Sequence, residues 1–401
     1  MKPFDSAEIQ ARHQRLQEKM KASGENLDAI IVLNTADLYY LSGTVQTAHL
    51  LVTPAEEPML LVRKVLERAR EDSPLEHIEP LESMKTLPER LASLCGPPPW
   101  KVGMELDVLP ATTYAFYSKL LGEGAEILDA SRLLMANRAA KSDYEIGELK
   151  RAAEAQRLLF DSVPELLGRE NISTCELQNQ LDCRARTLGH CGMIRLRGMN
   201  IGTGIGTVTS GPDGALPNHS LFPIGGKGPH TCVSQGGSRS PIETNTPVIV
   251  DYLMSLSGYH SDCTRMAVRG TMPDGALEIY EKTRELLRFC EETIREGSTP
   301  SKIYEEMVTL AHDKGIGDNF MGPGKLAVKF TGHSVGLEVN ELPVLAPRFD
   351  EPLVAGNTLA IEPKYTHPEW GVLGVENTYA VRADRLENLT EIPEDIITCP
   401  E

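Results

Sequence analysis

Asp251, Asp262, His333, Glu362 and Glu376 are five side chains of metal-ligand type in the C-terminal part of a 401-residue chain. The two aspartates lie in Val248-Ile249-Val250-Asp251-Tyr252-Leu253 and Tyr259-His260-Ser261-Asp262-Cys263-Thr264-Arg265. These β-prone runs flank a Ser/Gly turn, and the pattern predicts a hairpin. Positions 251 and 262 are equidistant from the point between Leu256 and Ser257, so a simple register sets the aspartates opposite one another. Directly opposed Cβ atoms lie about 4.5–5.5 Å apart and like charges there are destabilising, so a cation between them is expected.

A second acidic pair repeats the pattern. Thr358–Tyr365 and Gly371–Tyr379 flank a His-Pro-Glu-Trp-Gly turn, and Glu362 and Glu376 are symmetric about Glu369. Between the two pairs lies Phe330-Thr331-Gly332-His333-Ser334-Val335-Gly336, whose glycines allow the backbone to approach closely. Four carboxylates and one imidazole form a hard, oxygen-rich set that suits Mn, Co, Fe or Zn in pairs better than a tetrahedral structural zinc. Four negative charges balance two divalent ions, and two such ions about 3.5–4 Å apart can activate a water and polarise the group it attacks.

The elements that must position these residues follow from periodicity. The N-terminal third alternates helix signals, near 6–23, 84–95 and 110–121, with strand signals at 27–33, 49–53, 59–62 and 102–106. That alternation predicts an α/β domain over 1–135, and residues 136–401 read as an α+β domain with an antiparallel sheet. A long amphipathic helix is expected from Lys141 to about 168, followed by a helix opened by a Ser173-Thr174-Cys175-Glu176 capping box. Two more helices are expected near 273–297 and 300–315. Gly202-Thr203-Gly204-Ile205-Gly206 has the wrong spacing for a nucleotide loop and leads into a strand.

Composition narrows the function classes. The net charge of −17 disfavours phosphate backbones and anionic lipid, so no nucleic-acid or membrane partner is expected. No apolar run reaches the length of a membrane span, and the first residues lack the apolar region of a signal peptide. Eight scattered cysteines without Cys-x-x-Cys spacing read as thiols of a reducing cytoplasm. His260 shares a strand face with Asp262 and is a candidate substrate contact, with an exposed edge histidine as the other reading.

Asp251, Ser257-Gly258-Tyr259-x-Ser261-Asp262-x-Thr264-Arg265, Gly332-His333-x-x-Gly336-Leu337, Ile361-Glu362-Pro363 and Val375-Glu376-Asn377 resemble the pita-bread metallopeptidases, a family that includes methionine aminopeptidase, aminopeptidase P, prolidase and creatinase. Tyr39-Tyr40-Leu41-Ser42-Gly43 resembles the creatinase-type N-terminal domain of the proline-directed branch. The resemblance implies that the five residues ligate two metals with Asp262 and Glu376 bridging, and that the protein is a homodimer. It implies a further histidine upstream of Asp251, for which His230 and His219 are the candidates, and a place for Arg265 just behind the metal ligands, although on the residues alone Arg265 could be structural or pair with a site carboxylate. Asn340 stands where the family has a substrate-contacting histidine, Gly374 where the proline-directed members have an arginine, and Leu253 where a glycine is usual.

The expected function is a cytoplasmic metallo-aminopeptidase of Xaa-Pro type, with Glu362 carrying the proton. The three departures motivate a second reading, a hydrolase or lyase on the same fold acting on a small C–N or C–S substrate. A third is a metal-binding relative without catalysis.

Overall fold

The computed structural model describes residues 5–199, 202–217 and 222–399. It divides into two compact units after Arg138, with a short segment at Arg197 returning to the first. Arg138 Nε lies 2.9 Å from Asp37 and Arg197 Nη1 2.8 Å from the other oxygen of the same carboxylate, which ties both residues to the N-terminal unit.

The N-terminal unit is a six-stranded mixed sheet. Its strands run in the order Ile78–Pro80, Met59–Val62, Ala48–Val52, Ala29–Val32, Lys101–Met104 and Glu126–Asp129. Ala29–Val32 pairs antiparallel with Ala48–Val52 and parallel with Lys101–Met104, as an α/β alternation requires. The helices Ser6–Ala22, Leu87–Cys95 and Ala111–Leu121 fall where the periodicity places them. The short helix Thr35–Ser42, which the apolar pattern did not reveal, is opened by Asn34 accepting from Ala36 N and closed by Gly43 at φ +78°.

The C-terminal unit corrects one expectation. The amphipathic segment after Lys141 is two helices, Asp143–Phe160 and Val163–Leu167, and the break comes just before Pro164. A proline ring clashes with the carbonyl four residues earlier and cannot donate to it, so one helix cannot run through. The Ser173/Glu176 capping box forms as expected, opening Thr174–Thr187, and Ser142 and Glu145 make another. Asp274–Thr293 and Pro300–Asp313 are the two later helices.

Three sheets carry the C-terminal acidic residues. Gly206–Ser210, Val248–Ser255, His260–Arg269 and Ile397–Cys399 form the first, antiparallel except for the parallel last pair. Glu341–Leu345, Gly332–Ser334, Thr358–Ile361, Asn377–Val381 and Leu386–Asn388 form the second, and Lys364–His367 with Gly371–Gly374 the third. Both faces of the Val248–Ser255 hairpin are covered, which explains its nearly continuous apolar sequence. Val250, Tyr252 and Met254 pack with Ala152, Leu159 and Phe160 of the helix behind. Ile249 and Met266, on the acidic face, pack with Leu359, Ile361 and Leu373.

Candidate metal centre

The two aspartates do not sit opposite one another. Ser255 faces His260, so the loop is Leu256–Tyr259 and its centre is one residue later than simple symmetry suggested. Gly258 takes φ +97° there, a conformation that suits glycine. Asp251 therefore faces Thr264, and Asp262 faces Leu253. The aspartates are diagonal neighbours on one face, and the charges that compensate them come from other strands.

The glutamate pair keeps its expected register. Ile361 faces Asn377 and Lys364 faces Gly374, so Glu362 and Glu376 share the rungs between two sheets. The chain changes sheet there because Pro363 offers no N–H to the ladder. Glu376 is drawn to the aspartate hairpin by its backbone, which exchanges hydrogen bonds of 3.3 and 3.4 Å with Thr264. Thr264 Oγ1 donates to Glu376 Oε2 at 2.7 Å, and Thr378 Oγ1 donates to the Asp262 carbonyl at 2.8 Å.

His333 arrives on the short strand Gly332–Ser334, paired with Ala360. A side chain at Gly332 would put Cβ 2.7 Å from the Ala360 carbonyl oxygen, so the glycine permits this closeness. His333 Nε2 lies 3.5 Å from Glu362 Oε1. All five residues line one cavity of about 50 Å³, and ligand atoms of Asp262, His333 and Glu376 lie within 4.8 Å of one another. Asp262 Oδ1 and Glu376 Oε1 are buried without a hydrogen-bond partner among the described residues. Buried anionic oxygens lacking donors are costly, and a divalent cation is the group that this donor set fits.

Sequence reasoning missed one member of the cluster. Lys364 is 1% exposed, and its ammonium contacts Glu362 Oε2, Glu376 Oε2 at 2.8 Å and Asp251 Oδ2 at 3.5 Å. Strand alternation carried the signal, since Lys364 follows Glu362 by two positions and stands directly across from Gly374, two before Glu376.

The charges shift one another strongly. Burial pushes the Asp251 carboxyl up to about 7, with Lys364 opposing and Glu376 and Glu362 adding to the rise. Asp262 is raised well above the carboxylate range by burial and then by Glu376 and Asp251. Burial also acts upward on Glu362, but Lys364 and His333 outweigh it and hold that carboxyl below its ordinary value. His333 and Lys364 go the other way: burial lowers each, and the neighbouring carboxylates more than reverse it. Four carboxylates this close are not all comfortably ionised with a single ammonium among them.

The remaining expected residues divide. Arg265 is fully buried and makes no carboxylate pair among the described residues; it donates to the carbonyls of Thr264, Glu376, Ile392 and Pro393 and to Asn377 Oδ1, clamping the backbone of Glu376. His260 is also fully buried, not an exposed edge residue; its backbone N–H and Nδ1 both lie 2.8 Å from the Gly336 carbonyl, and burial lowers its pKa to about 4. It does not line the cavity, and neither does Asn340, which is exposed in the loop before Glu341–Leu345. His230 sits on an exposed turn beside Cys232, closed by the His230–Val233 bridge, and is not one of the residues lining the cavity. His219 lies outside the described residues. Instead the cavity wall includes Thr203, Gly204 and Gly206 from the glycine-rich segment, with Phe222, Leu253 and Val339 as its apolar part.

Comparison with known proteins bears on the family and the fold. The model of metallopeptidase family M24 matches residues 147–383, and that of the creatinase/prolidase N-terminal domain matches residues 12–140. An Xaa-Pro dipeptidase from Pyrococcus horikoshii is 23% identical over 377 residues, covering 93% of this chain and 95% of that protein. Among solved structures, an Xaa-Pro dipeptidase from Bacillus anthracis superposes with a TM-score of 0.81 at 24% identity, over 97% of this chain and 99% of that one. An X-Pro aminopeptidase from Thermotoga maritima gives a TM-score of 0.76 at 19% identity, over 93% and 97%.

Proposed function

Because the chain belongs to metallopeptidase family M24, we propose that it is a metal-dependent peptidase that hydrolyses the N-terminal bond of short peptides with proline in second place. The observation that carries this reading is the convergence of Asp251, Asp262, His333, Glu362 and Glu376 on one cavity, two of them with buried oxygens that no donor among the described residues satisfies. Relatives named for Xaa-Pro dipeptides and X-Pro peptides support the substrate class. The relatives named as Xaa-Pro dipeptidases favour the dipeptide end of that range.

Asp262, His333 and Glu376, with Asp251 and Glu362 beside them, would hold the divalent metal, whether Mn, Co, Fe or Zn. When bound, that ion supplies Lewis acidity toward water and the scissile carbonyl. The chain's own residues supply the rest. Glu362, which lines the cavity with Oε1 3.5 Å from His333 Nε2, is placed to take the proton of the attacking water and return it to the leaving nitrogen. Phe222, Leu253 and Val339 present an apolar wall suited to a pyrrolidine ring.

The test is a panel of Xaa-Pro dipeptides, Xaa-Pro tripeptides and Xaa-Ala controls, assayed with each metal. Turnover of the proline dipeptides first, abolished together with metal binding in Asp262→Ala and His333→Ala, is the expected result. Absence of turnover on every peptide by metal-loaded protein would overturn the peptidase reading.

A further inference from the structure

The acidic cluster holds more than one kind of cation position. One is the group Asp262, His333 and Glu376, which offer ligand atoms within 4.8 Å of one another, and Asp262 Oδ1 and Glu376 Oε1 are buried without a hydrogen-bond partner among the described residues. The other is already filled. Lys364 directs its ammonium among Glu362, Glu376 and Asp251, and an ammonium has three donors for these three carboxylates.

That placement is built into the fold. The Lys364 carbonyl is fixed by the Met321 N–H at 2.8 Å, and its stem runs over Gly374 on the facing strand. A Cβ at position 374 would lie 2.7 Å from Lys364 Cγ, so the lysine takes this path only because glycine stands opposite. With 1% exposure the side chain has no solvent route for its charge, and a buried ammonium away from its carboxylates would be severely penalised. A metal ligated by carboxylate oxygens sits about 2.0–2.2 Å from them. An ion held by the same Asp251 Oδ2 and Glu376 Oε2 that Lys364 contacts would be pressed against a like charge.

We infer that the Lys364 ammonium serves as the second cation of this cluster, so that the site takes one divalent ion, at Asp262, His333 and Glu376, where the ligand set alone would accept two. The inference rests on the reading of the cluster as a divalent-metal site. It assigns Lys364 as a residue that sets metal count and holds Glu362 and Glu376 in place, and it explains why Gly374 must lack a side chain.

The test uses the full chain, stripped with chelator and titrated with Mn²⁺ alone. Bound metal is counted by equilibrium dialysis, and electron paramagnetic resonance separates isolated from exchange-coupled ions. Wild type is expected to bind one equivalent with the signal of an isolated ion. Lys364→Ala is expected to bind two, with a coupled signal, since three carboxylates then lose their cation. Two tightly bound, coupled ions in wild type would overturn the inference while leaving the peptidase reading intact, and this result needs no variant to fold. A folded Lys364→Ala that still binds only one would also overturn it. Binding of no Mn²⁺ by wild type, with no peptide hydrolysed under any metal, would remove both.

Discussion

The Thr264 hydroxyl donates to Glu376 Oε2 at 2.7 Å, and Oε1 of the same carboxylate is buried without a donor among the described residues. The hydrogen bond orients a carboxylate that would hold the metal, and such outer partners typically account for 10–100-fold in metal affinity. Thr264→Val keeps the shape and removes the donor, so Mn²⁺ affinity should fall by about 10–100-fold in a chelator competition, with the fold unchanged by circular dichroism. At this scale the five side chains that gather in the cavity were legible from residue type and spacing. Lys364 was not singled out, because a lysine two residues from a glutamate reads as a solvated pair until the burial of that strand is known. His230 and Asn340 depended on where loops run, and loop paths are not written in local periodicity.

At the scale of elements, the capping box at Ser173 was legible because it is a local arrangement: Ser173 and Glu176 satisfy one another's backbone N–H groups within a single turn. Ser173→Ala should lower stability by about 1 kcal/mol, read as a shift in urea midpoint at constant slope. The aspartate register shows the opposite case. Its centre moved by one residue because Gly258 and Tyr259 belong to the loop, and the choice among loop lengths is made by the left-handed glycine and by burial of Tyr259. Gly206 illustrates a constraint visible only in the pairing. It faces Tyr252, and a Cβ there would lie 2.4 Å from the ring. Gly206→Ala should cost about 1–3 kcal/mol by overpacking, measured in the same denaturation experiment.

For the molecule as a whole, no helix among the described residues is long and apolar enough to cross a membrane. Metal binding to the native state alone should stabilise it, by about 2.7 kcal/mol at a hundredfold excess over Kd. Mn²⁺ should therefore raise the melting temperature of chelator-treated protein, and His333→Ala should lose most of that shift. Acid should act through buried histidines. Burial lowers His49 to about 4, and Arg63 adds to the effect, while its ring contacts Tyr117 Oη at 2.6 Å. In the unfolded chain this imidazole protonates near pH 6.5, so between about 6.5 and 4 the unfolded state binds the extra proton and stability falls as pH falls. At pH 5 this amounts to roughly 2 kcal/mol relative to pH 7. His49→Gln should flatten that part of the urea-stability profile; an unchanged slope between pH 7 and 5 would contradict it.

Residue types, alternation and short-range motifs pointed by themselves to an α/β part followed by an α+β part with acidic residues gathered on paired strands. These features are local: alternation and capping are decided within a few residues of sequence. Tertiary structure alone decided which strand neighbours meet across the site, that His260 is sealed in the interior, and that Lys364 turns inward to share the carboxylates. The reason is burial. A lysine opposite a glycine is indifferent to its direction in water, but once helices and sheets cover both faces of the strand its charge can be satisfied only by the acids already gathered there.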